Sequence, residues 1–183
     1  MDTESFAKTA VGKLFLKVIA TIMESGFRYR FFPAVKILKG ADIEQGQTVL
    51  EIGCGTGYFT IPASQMIGGN GRLTSIDILQ ESVDLVHSKV LKAGLTNVIV
   101  KKGNAMGTSL DSETFDTVLL FGVIPAPMIS MNRLMTELHR ILKSGGTLAV
   151  WPPVIGWLPK SVLKSGLFTL KNKRNGVYNF QRK

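Results

Sequence analysis

The chain is predicted to fold as a doubly wound α/β sheet of about seven strands, mostly parallel, with helices on both faces and an N-terminal helical extension. Three observations predict it. From residue 46 onward, strand-like and helix-like segments alternate, the signature of βα units around a parallel sheet. The segment Phe115–Gly122 is apolar from Val118 onward, as a central strand covered on both faces must be. Near the end, Asn175-Gly176 stands between two alternating runs, a hairpin signal, so an antiparallel pair closes the sheet.

Taken in order, residues 4–24 have helical periodicity. Thr9, Lys13, Lys17, Thr21 and Glu24 form a polar stripe, and Ala7, Val11, Leu14, Val18 and Ile22 lie opposite. A short helix is expected from Pro33 to Lys39, stopped by Gly40. Residues 1–40 therefore read as a helical extension and residues 41–183 as the main domain. In the main domain, Gln47–Ile52 is a buried strand, and the glycine-rich turn after it opens a helix from about Tyr58 to Ile67. Pro62 is tolerated there because it falls in the first turn or so. Arg72–Asp77 is the second strand, and a helix from about Gln80 to Ala93 ends at Gly94. Asn97–Gly103 and Phe115–Gly122 are the third and fourth strands. A helix over 128–143 and a fifth strand over Thr147–Trp151 precede the hairpin. There are no internal repeats.

With 183 residues, 45% of them hydrophobic, the chain can bury one sizeable core. No apolar run approaches the ~20 residues that cross a bilayer. Asp2 and Glu4 open the chain and no small-residue cleavage site follows, so a signal peptide is not expected. Cys54 is the only cysteine, which rules out an internal disulfide and makes a reducing, cytoplasmic location the expectation. One thiol cannot build a zinc cluster and no carboxylate or histidine grouping replaces it, so no metal is expected.

The formal charge of +9 is unevenly spread. Residues 1–39 hold seven Lys/Arg against three acids, and residues 160–183 hold seven against none. Such ends suit RNA, an anionic membrane surface or an acidic substrate, or simply form a solvated surface.

Val49–Thr60 reads VLEIGCGTGYFT. A strand, a glycine turn and a helix N-terminus together suit a nucleotide-like ligand. The spacing is G-x-G-x-G (Gly53, Gly55, Gly57), whereas dinucleotide sites favour G-x-G-x-x-G. Glu51, two residues before the first glycine, suits a ligand with a positive charge and would repel a pyrophosphate.

These residues resemble motif I of class I S-adenosylmethionine-dependent methyltransferases. Four further stretches agree in order and spacing: SIDI (75–78), GNA (103–105), FDTVLLFGVI (115–124) and ELHRILKSGG (137–146). The resemblance covers roughly residues 33–183, implies a Rossmann-like sheet, and is greatest to the ubiquinone/menaquinone C-methyltransferase-like branch (methyltransferase type 11). It implies S-adenosyl-L-methionine as cofactor. The amides of Gly53, Cys54, Gly55 and Gly57 would approach its methionine part, with Glu51 near the ammonium group. Asp77 would take the ribose hydroxyls, and Ile78 would pack on the adenine. Asn104 stands where the family usually has Asp, and Ala105 would offer its amide to the adenine ring. Phe121 and Gly122 would line the place where the methyl group leaves. Other readings stand beside these: Asp77 can cap the helix from Gln80, Asn104 can be a turn residue, and Cys54 can be inert filler.

A direct displacement at a sulfonium carbon needs a nucleophile held in line and dry, and no general base for a neutral amine or thiolate acceptor. No catalytic residue is assigned on that ground, and His87 and His139 read as surface histidines. The strand-four sequence lacks the Asn/Asp-Pro-Pro-aromatic turn of amide-nitrogen and exocyclic-adenine methyltransferases, and arsenic methylation needs several cysteines. The stretch from Gly122 to Ile129, with Ile124, Trp151, Trp157 and the N-terminal helices, is expected to form an apolar acceptor wall. Tyr29, Arg30 and Tyr58 are candidate contacts. The expected function is methyl transfer to a small hydrophobic or aromatic acceptor. The alternatives are an RNA or lipid-headgroup methyltransferase using the basic termini, and a non-catalytic S-adenosylmethionine-binding partner protein. The N-terminal helix reads as a lid, a packing element on the domain or a second copy, or a membrane contact. Monomer and homodimer both remain open.

Overall fold

A computed structural model describes residues 33–124, 129–152 and 159–183. The helix expected over 4–24 lies outside the described residues. The sheet has seven strands: β1 (Thr48–Ile52), β2 (Arg72–Asp77), β3 (Val98–Lys102), β4 (Phe115–Phe121), β5 (Leu142–Trp151), β6 (Phe168–Arg174) and β7 (Val177–Arg182). Their spatial order is β3-β2-β1-β4-β5-β7-β6. The first five strands are parallel, and β7 runs antiparallel between β5 and β6. The chain reverses direction across the sheet between β1 and β4, and such a switch point opens a crevice at the carboxyl ends of the strands.

Five helices are described: α1 (Ala34–Leu38), α2 (Thr60–Ile67), α3 (Gln80–Lys92), α4 (Met131–Ile141) and α5 (Lys160–Lys164). Strand alternation divides the core into two layers. Leu50, Ile52, Val118, Leu120, Leu148 and Val150 face α4 and α5. There they meet Leu134, Met135, Leu138 and Ile141, which form the single apolar stripe of α4. Val49, Leu119, Phe121 and Ala149 face the other way, onto α1 and α2. α3 covers β3 on that same side through Val86 and Val90.

Several boundaries differ from expectation. α2 starts at Thr60 rather than Tyr58, because Tyr58 and Phe59 are drawn into the core ahead of the first helical turn. β5 begins at Leu142, five residues before the expected Thr147. Leu142 pairs with Phe115, a bulge follows, and pairing resumes at Thr147 with Thr117. The Ser144-Gly145-Gly146 turn signal therefore marks an irregularity within a strand. α5 has no counterpart among the expected elements. The hairpin stands as read: Asn175 and Gly176 have φ of 48° and 81°, the two positive values a tight two-residue turn needs.

α1 packs into the sheet core, with Ile37 and Leu38 buried. The hairpin grips the segment after it. Asn179 donates to the Gly40 carbonyl at 2.7 Å, and Asn175 donates to the Lys36 carbonyl at 2.8 Å. Asp42 receives Asn172 and pairs with Arg174 and Lys171.

Candidate functional site

The crevice at the switch point is lined by residues from the ends of four strands. Ile52 and Gly53 end β1; Ile76, Asp77 and Ile78 end β2; Gly103–Met106 follow β3; Val123 follows β4, and Ile129 precedes α4. Gly53, Gly55 and Gly57 all have positive φ (76°, 51° and 81°), so each occupies a conformation that L side chains avoid. A Cβ on Gly53 would meet Val123 Cγ2 at 2.8 Å, which fixes the loop against the β4 exit. A Cβ on Gly55 would meet nothing within 4 Å, so the loop presents bare backbone to open space.

Asp77 ties the loop to β2. Its Oδ2 accepts the Gly55 N–H at 2.9 Å, and its Oδ1 accepts the Leu79 N–H at 3.0 Å. Burial pushes its pKa above the usual carboxylate range, and these amide donors oppose that shift. It caps nothing through the helix N-cap itself, which is Leu79 and makes no side-chain bond. From the far side, Lys89 of α3 donates to the Thr56 carbonyl at 2.8 Å.

Glu51 does not line the crevice. Alternation places it on the face with Val49, beneath α2, where it is 2% exposed. Thr60 Oγ1 and Ser75 Oγ both donate to its Oε2, at 2.6 and 2.7 Å. Burial raises its pKa, and the two hydroxyls hold it down in part. Cys54 is likewise turned away, buried against Val86 and Val90, with its thiol pKa pushed up by burial and by the neighbouring Glu51 and Asp77.

Asn104 and Ala105 lie on the crevice wall with Ile78. Asn104 Oδ1 accepts the Met106 N–H at 2.9 Å, so this side chain shapes its own turn and keeps one acceptor position in reserve. Gly107 donates to the Asn104 carbonyl at 3.1 Å and closes the turn.

The residues expected near the methyl exit fall into a separate group. Phe121 is buried on the α2 face, 4.9 Å from Phe59 in an edge-to-face contact. Phe59 also meets Tyr58 at 5.0 Å and Trp151 at 5.9 Å. Tyr58 and Phe121 thus serve this aromatic cluster, and Trp151 remains half-buried above it. Gly122 is exposed, with φ of 72°, and donates to the Trp151 carbonyl at 2.9 Å. Ile124 is 1% exposed and belongs to the α4-side core, because the chain turns inward after Gly122. Tyr29, Arg30, Trp157 and residues 125–128 lie outside the described residues.

Val123 and Ile129 belong to the stretch expected as an acceptor wall, and here they line the crevice. Sequence reasoning assigned no role to Phe59 or Met106, which lie in or beside the motifs, and only the folded register shows which way they point. A second, polar depression lies at the opposite, amino-terminal end of β1, between Gln47 and Thr147. Its charges are partly self-compensating, since Lys171 and Arg174 pair with Asp42.

The geometry has counterparts in known proteins. Residues 49–146 match the family model described as a methyltransferase domain. The chain is 31% identical over 112 residues to a demethylmenaquinone methyltransferase of Shouchella clausii, covering 61% of this chain and 47% of that protein. A demethylmenaquinone methyltransferase of Listeria monocytogenes is 32% identical over 120 residues, covering 63% and 50%. The chain thus spans about half the length of these curated relatives. Among solved structures, an S-adenosylmethionine-dependent methyltransferase from Aquifex aeolicus has the same fold, with a TM-score of 0.71 and 23% identity over 90% of this chain and 96% of that one. The geranyl diphosphate C-methyltransferase of Streptomyces coelicolor, solved with S-adenosyl-L-homocysteine, shares the fold at a TM-score of 0.68 and 13% identity over 82% and 75%. With the glycine loop, the β2 carboxylate and the seven-stranded order in register, the chain belongs to the methyltransferase domain family, within the class I S-adenosylmethionine-dependent branch.

Proposed function

We propose that the chain binds S-adenosylmethionine along the crevice at the ends of β1, β2 and β3, and transfers its methyl group to a small hydrophobic acceptor. The observation that carries this reading is the Gly53–Gly57 loop held by Asp77, with open space where a Gly55 side chain would stand. The residues fit the cofactor. Bare backbone admits its amino-acid end, and the largely buried Asp77 carboxylate gains from hydroxyl donors such as a ribose diol. Ile78, Asn104 and Ala105 offer an apolar wall, an amide and a backbone N–H for the adenine.

The cofactor supplies a methyl carbon already activated by a sulfonium charge. The chain then has three tasks: to orient that carbon, to bring the acceptor in line with it, and to exclude water during transfer. Transfer leaves the thioether S-adenosylhomocysteine, and a quinol acceptor also releases to water the proton that the methyl group replaces, as the ring regains aromaticity. Asp77 and the glycine loop do the first. Gly122 and Trp151, at the ends of β4 and β5, stand where the second is done. Glu51 acts from beneath, joining the first turn of α2 to β2 so that the loop keeps its shape.

An apolar acceptor of the demethylmenaquinone kind is supported by the curated relatives, which are named for that substrate. The RNA, lipid-headgroup and non-catalytic readings gain nothing from those relatives. The test is calorimetric titration with S-adenosylmethionine and S-adenosylhomocysteine, followed by incubation of labelled S-adenosylmethionine with a short-chain demethylated naphthoquinol. Binding and label in the quinol fraction are expected. No binding at millimolar ligand sinks the cofactor assignment, and binding with label absent from the quinol sinks the acceptor assignment.

A further inference from the structure

The wall of the crevice that would meet the adenine is itself secured by a charged pair some distance from it. Glu137, on the second turn of α4, reaches across to the loop after β3. Its Oε1 accepts the Thr108 N–H at 2.8 Å and the Thr108 hydroxyl at 2.6 Å. Arg140, one turn further, grips the same carboxylate with both prongs: Nε to Oε2 at 2.9 Å and Nη2 to Oε1 at 2.7 Å. The guanidinium also donates to the Leu110 carbonyl at 2.7 Å and to the Ser112 hydroxyl at 3.0 Å.

Thr108 directly follows the Asn104–Gly107 turn, whose residues line the crevice. Ile129, two residues before α4, lines it from the other side. The hydrogen bonds from this α4 pair to Thr108, Leu110 and Ser112 thus tie the loop that continues one side of the crevice to the helix that continues the other. The other polar ties of the loop from Gly107 to Thr114 lie at its far end, where Glu113 and Thr114 donate to the α4 carbonyls of Arg140 and Ile141 and Glu113 pairs with Arg182. The Thr108 end beside the turn therefore relies on Glu137.

We propose that Glu137 and Arg140 are positioning residues for the nucleoside end of the cofactor, acting through Thr108 on the Asn104–Met106 turn. The proposal rests on the cofactor reading above. Neither side chain touches the crevice, so their effect is on how well its wall is pre-formed. A pre-formed wall binds more tightly because less chain must be ordered at the moment of binding.

The full chain carries the test. Glu137→Gln keeps the shape and removes the charge, and its dissociation constant for S-adenosylhomocysteine is expected to rise about tenfold, the scale of one lost charged hydrogen bond. Amide exchange of residues 104–108 is expected to quicken while Gly53–Gly57 keep their protection; general destabilisation would move both loops together. Thr108→Val loses the hydroxyl's bond to Glu137 and the one it accepts from the Leu110 N–H, and keeps the backbone bond to Glu137. It is expected to weaken binding about fivefold, and it stands in should Glu137→Gln not fold. A folded variant that binds within twofold of the wild-type chain, or equal loss of protection in both loops, overturns the inference. Absence of S-adenosylhomocysteine binding by the wild-type chain marks instead the failure of the cofactor reading, and takes the inference with it.

Discussion

Asp77 Oδ2 accepts the backbone N–H of Gly55 at 2.9 Å, so the carboxylate that ends β2 also shapes the loop that ends β1. One group therefore serves the fold and the crevice, and its removal should be felt at both.

Asp77→Ala is expected to weaken S-adenosylhomocysteine binding about 100-fold, through loss of the ribose contact proposed above and release of the loop. Asp77→Asn keeps one acceptor and is expected to cost about tenfold. Calorimetric titration of both variants checks the order. Equal affinities for Asp77→Ala and wild type would remove this residue from the site.

Gly55→Ala separates binding from stability. Nothing in the protein opposes the new methyl group, so the only folding cost is the left-handed backbone at φ 51°, ~1–2 kcal/mol in urea unfolding. In the cofactor reading proposed above the methyl group would press on the ligand, and a steric cost of about 2–3 kcal/mol should reduce affinity about 100-fold. Unchanged affinity would mean that the ligand lies elsewhere.

Two hydrogen-bonded carboxylates, Glu51 buried and Glu137 partly exposed, should respond to pH with opposite sign. Arg140 and Thr108 hold Glu137 down to about 2 from an ordinary 4.5. Its contribution to stability is present above pH 4.5 and is lost as pH falls toward 2. Glu51 is raised by burial, so its contribution is complete below pH 4.5 and is lost as pH rises through its folded-state value. Urea unfolding midpoints from pH 3 to 8 check this. Glu137→Gln should flatten the acid side of the profile, and Glu51→Gln the upper side.

Gly40→Ala should destabilise the chain by ~2 kcal/mol, because a Cβ there would lie 2.3 Å from the Arg174 carbonyl oxygen, which is backbone and cannot swing aside. Thermal unfolding measures it. A neutral result would mean that the hairpin and the segment after α1 are not closely packed in solution.

Most of the architecture was legible because it rests on local signals. Arg72–Asp77 is legible to the residue, since a glycine cluster bounds it on one side and a helix start on the other. The hairpin was legible because Asn-Gly is among the few pairs that accept two positive φ angles. α5 was not, because five residues carry too little periodicity to register. β5 was misjudged by five residues because two glycines look alike in a turn and in a bulge.

The site was legible less evenly. Gly53, Gly55, Asp77, Ile78, Asn104 and Ala105 all surround or line the crevice, since they end consecutive strands of one sheet. Glu51, Cys54, Phe121 and Ile124 carry motif positions yet point into the interior. Chain order alone determined the succession of strands, the glycine loop and the closing hairpin, because backbone preferences and hydrophobic period act over a few residues. Tertiary structure decided which face of each strand meets the crevice, and it joined Glu137 to Thr108 across 29 positions. Alternation offers every strand two faces, and only packing against α2 and α4 selects between them.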